Sequence, residues 1–171
     1  MSAAEAGADP AKDLPGSITT LHRYDLPLPR QDVWTLISEV SQYRRWWPWL
    51  RVFDADGLTV GDEWRCEVQP PVPYAVRFRV TIEHIEPPAV VRARVSGDVA
   101  GEAILSLRDG NGGCSATLES SLAPGSAALR FVSRFAGPVA RFGHDWVLDS
   151  GARQFIARAV GPLVGDETAS P

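Results

Sequence analysis

Apolar residues fall on alternate positions over much of the chain, then change to a spacing of three and four. Tyr74, Val76, Phe78, Val80 and Ile82 share one parity, and Ala75, Arg77, Arg79, Thr81 and Glu83 take the other. Such alternation predicts an antiparallel strand with one buried face. Trp64, Cys66 and Val68 alternate in the same way with Glu63, Arg65 and Glu67. Near the start, Ile18, Thr20, His22 and Tyr24 lie in phase, and Pro27 and Pro29 close that segment. Further strands are expected over 51–54, 90–96, 101–108 and 114–122. The run Asp109-Gly110-Asn111-Gly112-Gly113 reads as a hairpin loop, because glycine and asparagine tolerate the backbone such turns need. The apolar parity around Phe78 continues to His84, which either sits at the sheet's inner edge or, as expected so near the strand end at Pro87-Pro88, is partly exposed.

Two stretches follow a helical period instead. Arg30-Gln31-Asp32 opens a short helix, with Val33, Trp34, Ile37 and Val40 along one side. Ser41 is placed to cap a second short turn, and Pro48 stops it by forcing Trp47 out of helical geometry. From Ser126 to about Val160 the apolar rows are Leu129, Val132, Phe135, Val139, Phe142 and Trp146, and then His144, Leu148, Gly151 or Ala152, Phe155 and Ala159. Gly137-Pro138 is expected to kink or split this helix. Strands in series with segregated helices predict an α+β fold. The expected architecture is a curved antiparallel sheet wrapped around a long C-terminal helix, with two short helices after the first strand. Residues 1–16 and 165–171 read as flexible tails, which leaves one domain over 17–164.

Composition narrows the partners. The chain has 171 residues, and a chain of that length buries about 70% of the surface its unfolded form exposes. A core with an internal cavity is within its means. A net charge of −4 argues against nucleic acid or an anionic membrane as the main partner. No apolar run is long enough for a membrane span. The N-terminus lacks a cationic start and an apolar run, so no secretory signal is expected and the chain reads as cytoplasmic. Cys66 and Cys114 are too few and too far apart for a zinc set, and both are expected reduced and buried. No cofactor and no metal are expected, and the residues leave the oligomeric state open.

Several segments resemble the START-like, Bet v 1-like superfamily (SRPBCC), and its polyketide cyclase/dehydrase and lipid-transport members most. VWTLISEVSQYRRWWPWL is similar to that family's helix pair and aromatic-proline corner. GDEWRCEV resembles the strand after its glycine turn, and VTIEHIEPP the strand that ends in an acidic-x-x-proline turn. FGHDWVLDSGARQFIARAV resembles its terminal helix, with His144, Leu148 and Gly151 at the matching positions. The resemblance spans residues 17 to 161. It implies a helix-grip fold and an apolar cavity between sheet and helix. It also implies a small hydrophobic ligand, such as a lipid or a polyketide. Some family members are cyclases or dehydratases, and many only bind.

The candidate site follows from these readings. His144 is the candidate acid/base and Tyr74 the candidate hydrogen-bond donor. The alternative for His144 is a structural, hydrogen-bonded histidine. Trp46, Trp47, Trp49, Trp64, Tyr74, Phe78, Trp146 and Leu148 are the candidate ligand contacts. A proline bend is expected to split the directions of Trp46, Trp47 and Trp49, so that they do not all face inward. Indoles suit the mouth of a cavity, being large, apolar and able to donate one hydrogen bond. Arg44 and Arg45 either flank an entrance or lie in solvent. His22 is given no role. A third reading treats the tryptophan cluster as an exposed protein-docking patch.

Overall fold

The computed structural model describes residues 17–71, 74–126 and 146–161. Seven strands form one antiparallel, curled sheet in the order β1-β7-β6-β5-β4-β3-β2. They are β1 (Ile18–Leu26), β2 (Leu50–Asp54), β3 (Glu63–Val68), β4 (Val76–Glu86), β5 (Val90–Gly97), β6 (Val99–Gly110) and β7 (Gly113–Pro124). Strands β2 to β7 form a meander, each pairing with the next, and β1 then adds to β7. The first and second strands therefore occupy opposite edges. The helices between them cross one end of the sheet.

Those helices are α1 (Arg30–Ser38), a 3-10 turn (Val40–Gln42) and α2 (Tyr43–Trp46). Ser41 does not cap α2. The 3-10 turn runs straight into the helix, Gln42 is the cap residue, and no side chain caps the end. Pro48 acts as expected, since Trp47 leaves helical geometry at φ −119° and ψ 85°. The long C-terminal helix is seen here as α3 (146–161), whose Ile156–Val160 segment widens into a π-helical turn. His144 and Gly137-Pro138 lie outside the described residues.

The predicted alternation is visible in burial. Along β1, positions 18, 20, 22 and 24 are half-buried and the intervening residues exposed. On β4 the pattern holds through Ile82, which is 1% exposed. It then breaks at a bulge between Ile82 and His84. The bulge shifts the inward parity to Ile85 and sends His84 outward, where Nε2 lies 2.8 Å from Glu86 Oε1. His84 thus lies exposed near the strand end, as expected, and the inward continuation of the parity is interrupted by one extra residue. The β6–β7 hairpin is tighter than the glycine-rich run suggested. Its strands reach Gly110 and Gly113, and Gly112 takes the left-handed backbone (φ 83°) that the two-residue turn requires.

The main core lies where α1, α2 and α3 meet the sheet, with Val33, Tyr43, Trp46, Leu107, Phe155 and Val160 buried together. Tyr43 is its hub. Its ring packs on Trp46, Trp47, Phe53 and Trp64, and its hydroxyl donates to the Ile37 carbonyl at 2.6 Å. That carbonyl lies in the last turn of α1, where no helical donor follows. Both cysteines are free and buried.

Candidate functional site

The corner YRRWWPWL turns three indoles toward α3. Trp46 meets Phe155 edge-on, with ring centres 5.3 Å apart. Trp47 donates its indole N–H to the Gly151 carbonyl at 2.8 Å. Trp49 donates to Gln154 Oε1 at 3.1 Å and packs edge-on against Trp146. All three meet α3, but only Trp47 and Trp49 face a cavity and Trp46 is buried in the core, so the three do not all face inward to it, as expected. Trp47 has already left the helix, so its side chain does not follow the helical rotation, and Trp49 turns back beyond Pro48. The helix meets the three over nearly three turns, so each indole has its own place along it. None of the three is among the large exposed apolar side chains. The docking-patch reading is therefore corrected: these rings are spent on the helix.

Two details make the clasp close. Gly151 has no side chain, and a Cβ there would lie 3.5 Å from Trp49 Cζ2 and 3.8 Å from Trp47 Nε1. Both are ordinary van der Waals distances, so the rings lie close over this position and its carbonyl stays reachable. Arg158 donates from Nη1 to the carbonyls of Trp46 (3.0 Å) and Arg45 (3.3 Å). These carbonyls sit at the end of α2, where a helix has acceptors to spare.

Between this clasped helix and the sheet lie two cavities. The first has a volume of about 290 Å³. Its walls are Val76, Phe78 and Val80 of β4, Val95 of β5 and Leu122 of β7, with Tyr74 and Ser120 as its hydroxyl groups. The second, about 280 Å³, is more aromatic, with Tyr24, Trp47, Trp49 and Phe155 around Gly151. Leu118, Val147 and Leu148 line both and stand between them. Among the described residues no Asp, Glu, His, Lys or Arg lines either cavity.

The polar groups present are donors rather than bases. Burial pushes the Tyr74 hydroxyl above its ordinary pKa. Burial raises Tyr24 too, with the nearby Asp149 carboxylate adding to the effect. Both keep their protons at neutral pH. Tyr24 donates to the Leu148 carbonyl at 3.5 Å, and Ser120 Oγ lies 2.8 Å from Thr20 Oγ1. Beside Tyr24, His22 stacks at 6.2 Å and points Nδ1 toward Asp149 Oδ1, 3.9 Å away. It thus sits against α3, although its residue type alone had suggested no role.

The structure brings Trp47, Trp49, Tyr74, Phe78 and Leu148 to the cavity walls. Three expected lining residues lie elsewhere. Trp46 is 5% exposed and fills the core between α2 and α3. Trp64 shares the inward parity but lies under Tyr43 and Phe53, with its N–H bonded to the Gly57 carbonyl at 2.7 Å. Trp146 buttresses Trp49. His144 falls outside the described residues. Tyr24, Leu118 and Val147 were missed as wall residues. Tyr24 could have been found from its parity with Ile18, and Leu118 from its parity with Ser120 and Leu122.

Arg65, Arg77 and Arg79 face outward as expected, and Arg77 pairs with Glu67 at 2.7 Å. Arg44 and Arg45 have exposed side chains. Among the described residues no group of three potential metal ligands occurs. No described helix is long and apolar enough to cross a membrane.

No family model matches the chain, and no curated protein does. Solved structures do match. The di-domain ARO/CYC BexL from the BE-7585A biosynthetic pathway is 9% identical, with a TM-score of 0.64 over 81% of this chain. The chain spans 48% of that protein. Ara h 8.0201 is 9% identical with a TM-score of 0.58, over 84% of this chain and 100% of the other. Norcoclaurine synthase from Thalictrum flavum, solved with dopamine and hydroxybenzaldehyde, is 11% identical with a TM-score of 0.54. There the match covers 83% of this chain and 88% of the other. These likenesses define the class at the level of fold: the chain has the helix-grip fold of the Bet v 1-like, START-like group.

Proposed function

We propose that the protein binds a small hydrophobic molecule between its sheet and α3. The observation that carries this reading is the first cavity, about 290 Å³ of space walled almost wholly by aliphatic and aromatic side chains. Such room lies just below the usual range of ligand-site sizes, and a few placed hydroxyls in an apolar wall are the usual make-up of such sites. Apolar surface left facing an empty cavity forfeits packing, and a guest restores it. Trp47, Trp49, Tyr74, Phe78 and Leu148 are the proposed contacts.

A cyclase or dehydratase reading draws support from the fold, which is shared with an ARO/CYC protein and a synthase. That chemistry needs an acid or base at the guest. The described walls supply hydroxyls held in their protonated form, so this reading rests on His144. Binding is accordingly the preferred function.

Native mass spectrometry of the purified protein tests it, followed by calorimetric titration with toluene and long-chain alcohols. The expected result is one apolar guest per chain, either retained from the cell or taken up on titration. A protein that carries no guest and takes up none of the probes overturns the proposal.

A further inference from the structure

The two cavities differ in character, and three residues divide them. The first is aliphatic with hydroxyls at Tyr74 and Ser120, and the second is lined by aromatic rings. Leu118 from β7 and Val147 and Leu148 from α3 belong to both walls. Each lobe alone has about the volume of a small ring system, 290 and 280 Å³. No charged side chain among the described residues faces either one. We propose that the site selects an uncharged, two-part ligand. Its aromatic ring sits in the second lobe and an aliphatic portion in the first, joined by a slender link that passes Leu118. This rests on the hydrophobic-site reading above and adds ligand class and a specificity-determining residue to it.

The physical reasons are separate for each part. Flat rings gain edge and face contacts with Trp47, Trp49 and Phe155 that an alkyl chain does not. The aliphatic lobe offers hydroxyls within reach of one polar end group, so an alcohol or carbonyl is satisfied there. A carboxylate finds no cation among the described residues there and must shed its charge or lose its hydration uncompensated. The two lobes share Leu118, Val147 and Leu148 as wall residues, so a link that joins them runs past branched side chains, which favours a chain over a ring.

The second lobe contains Trp47 and Trp49 and the first is lined by no tryptophan, so a guest in the second lobe is expected to change indole emission most. Toluene serves as a one-lobe probe, phenyloctanol as a two-lobe probe and phenyloctanoate as its charged counterpart, all titrated at neutral pH. Phenyloctanol is expected to bind at least about tenfold tighter than toluene while changing indole emission. Phenyloctanoate is expected to bind at least about tenfold weaker than the alcohol. Leu118→Trp, which fills the space shared by the two lobes, is expected to abolish the preference of phenyloctanol over toluene. Leu118→Ala widens that space and is expected to raise the association rate of phenyloctanol at least about threefold. Equal affinity for alcohol and carboxylate overturns the inference. So does a folded Leu118→Trp that keeps the full preference for phenyloctanol, or a Leu118→Ala with an unchanged rate. If toluene binds but phenyloctanol gains nothing over it, the two-part ligand falls while the hydrophobic site stands. If neither binds, the hydrophobic site falls as well.

Discussion

Replacing Gly151 by alanine should stabilise the protein, although the residue sits under two indoles. Glycine within a helix costs about 0.8–1.0 kcal/mol relative to alanine, because it has more backbone freedom to lose on folding. Against this stands the space its new methyl must occupy. The added Cβ meets Trp49 Cζ2 at 3.5 Å and Trp47 Nε1 at 3.8 Å, which is ordinary van der Waals contact. It therefore adds a little dispersion and no clash. The backbone carbonyl that accepts from Trp47 is untouched. The propensity gain dominates, at about 1 kcal/mol, which for a chain of this length raises Tm by about 2–4 °C. Gly151→Val separates this from a general effect of helix propensity. Its extra methyls must enter the indoles or the second cavity, and overpacking of that kind costs about 1–3 kcal/mol. Thermal unfolding followed by circular dichroism reads both variants. An alanine variant that melts several degrees lower would refute the reasoning, since the indoles would then have to lie closer to the helix than described.

Two further outcomes follow from buried polar groups. Tyr43→Phe strands the Ile37 carbonyl in the core and should cost about 1–3 kcal/mol in chemical denaturation; unchanged stability would mean that this 2.6 Å bond contributes nothing. Burial raises the Cys66 thiol from 9.0 to about 12. Below pH 9 both folded and unfolded states hold the proton, and between there and about 12 only the unfolded chain releases it, so stability falls as pH rises through that window. Cys66→Val should flatten that fall relative to the wild type, and an identical pH dependence in the two proteins would contradict the assignment.

The sheet was legible because its strands are half-buried. Ile18, Thr20, His22 and Tyr24 differ from their neighbours in what they face, and alternation records that difference directly. The bulge at Ile82 and His84 left one weak trace, the apolar Ile85 on the opposite parity from Ile82, which a single residue does not distinguish from chance. The tryptophan corner was legible as a feature but not in its direction. Pro48 announces a bend, yet where each indole points depends on α3, some hundred residues further along the chain. Wall residues drawn from local parity, such as Tyr74 and Phe78, were found. Trp64 shares that kind of parity but lies under the short helices, and parity cannot report what covers a residue. The septum of Leu118, Val147 and Leu148 joins two distant segments, so no local pattern could reveal it.

Xenon under pressure tests most directly whether there is dry, apolar room beneath α3, because the gas enters such cavities and has little affinity for polar ones. Crystals of the protein held under xenon should show the atom in both lobes, one against Phe78 and Val95, the other against Trp47 and Phe155. Side chains filling both spaces, with no xenon between sheet and helix, would contradict the account.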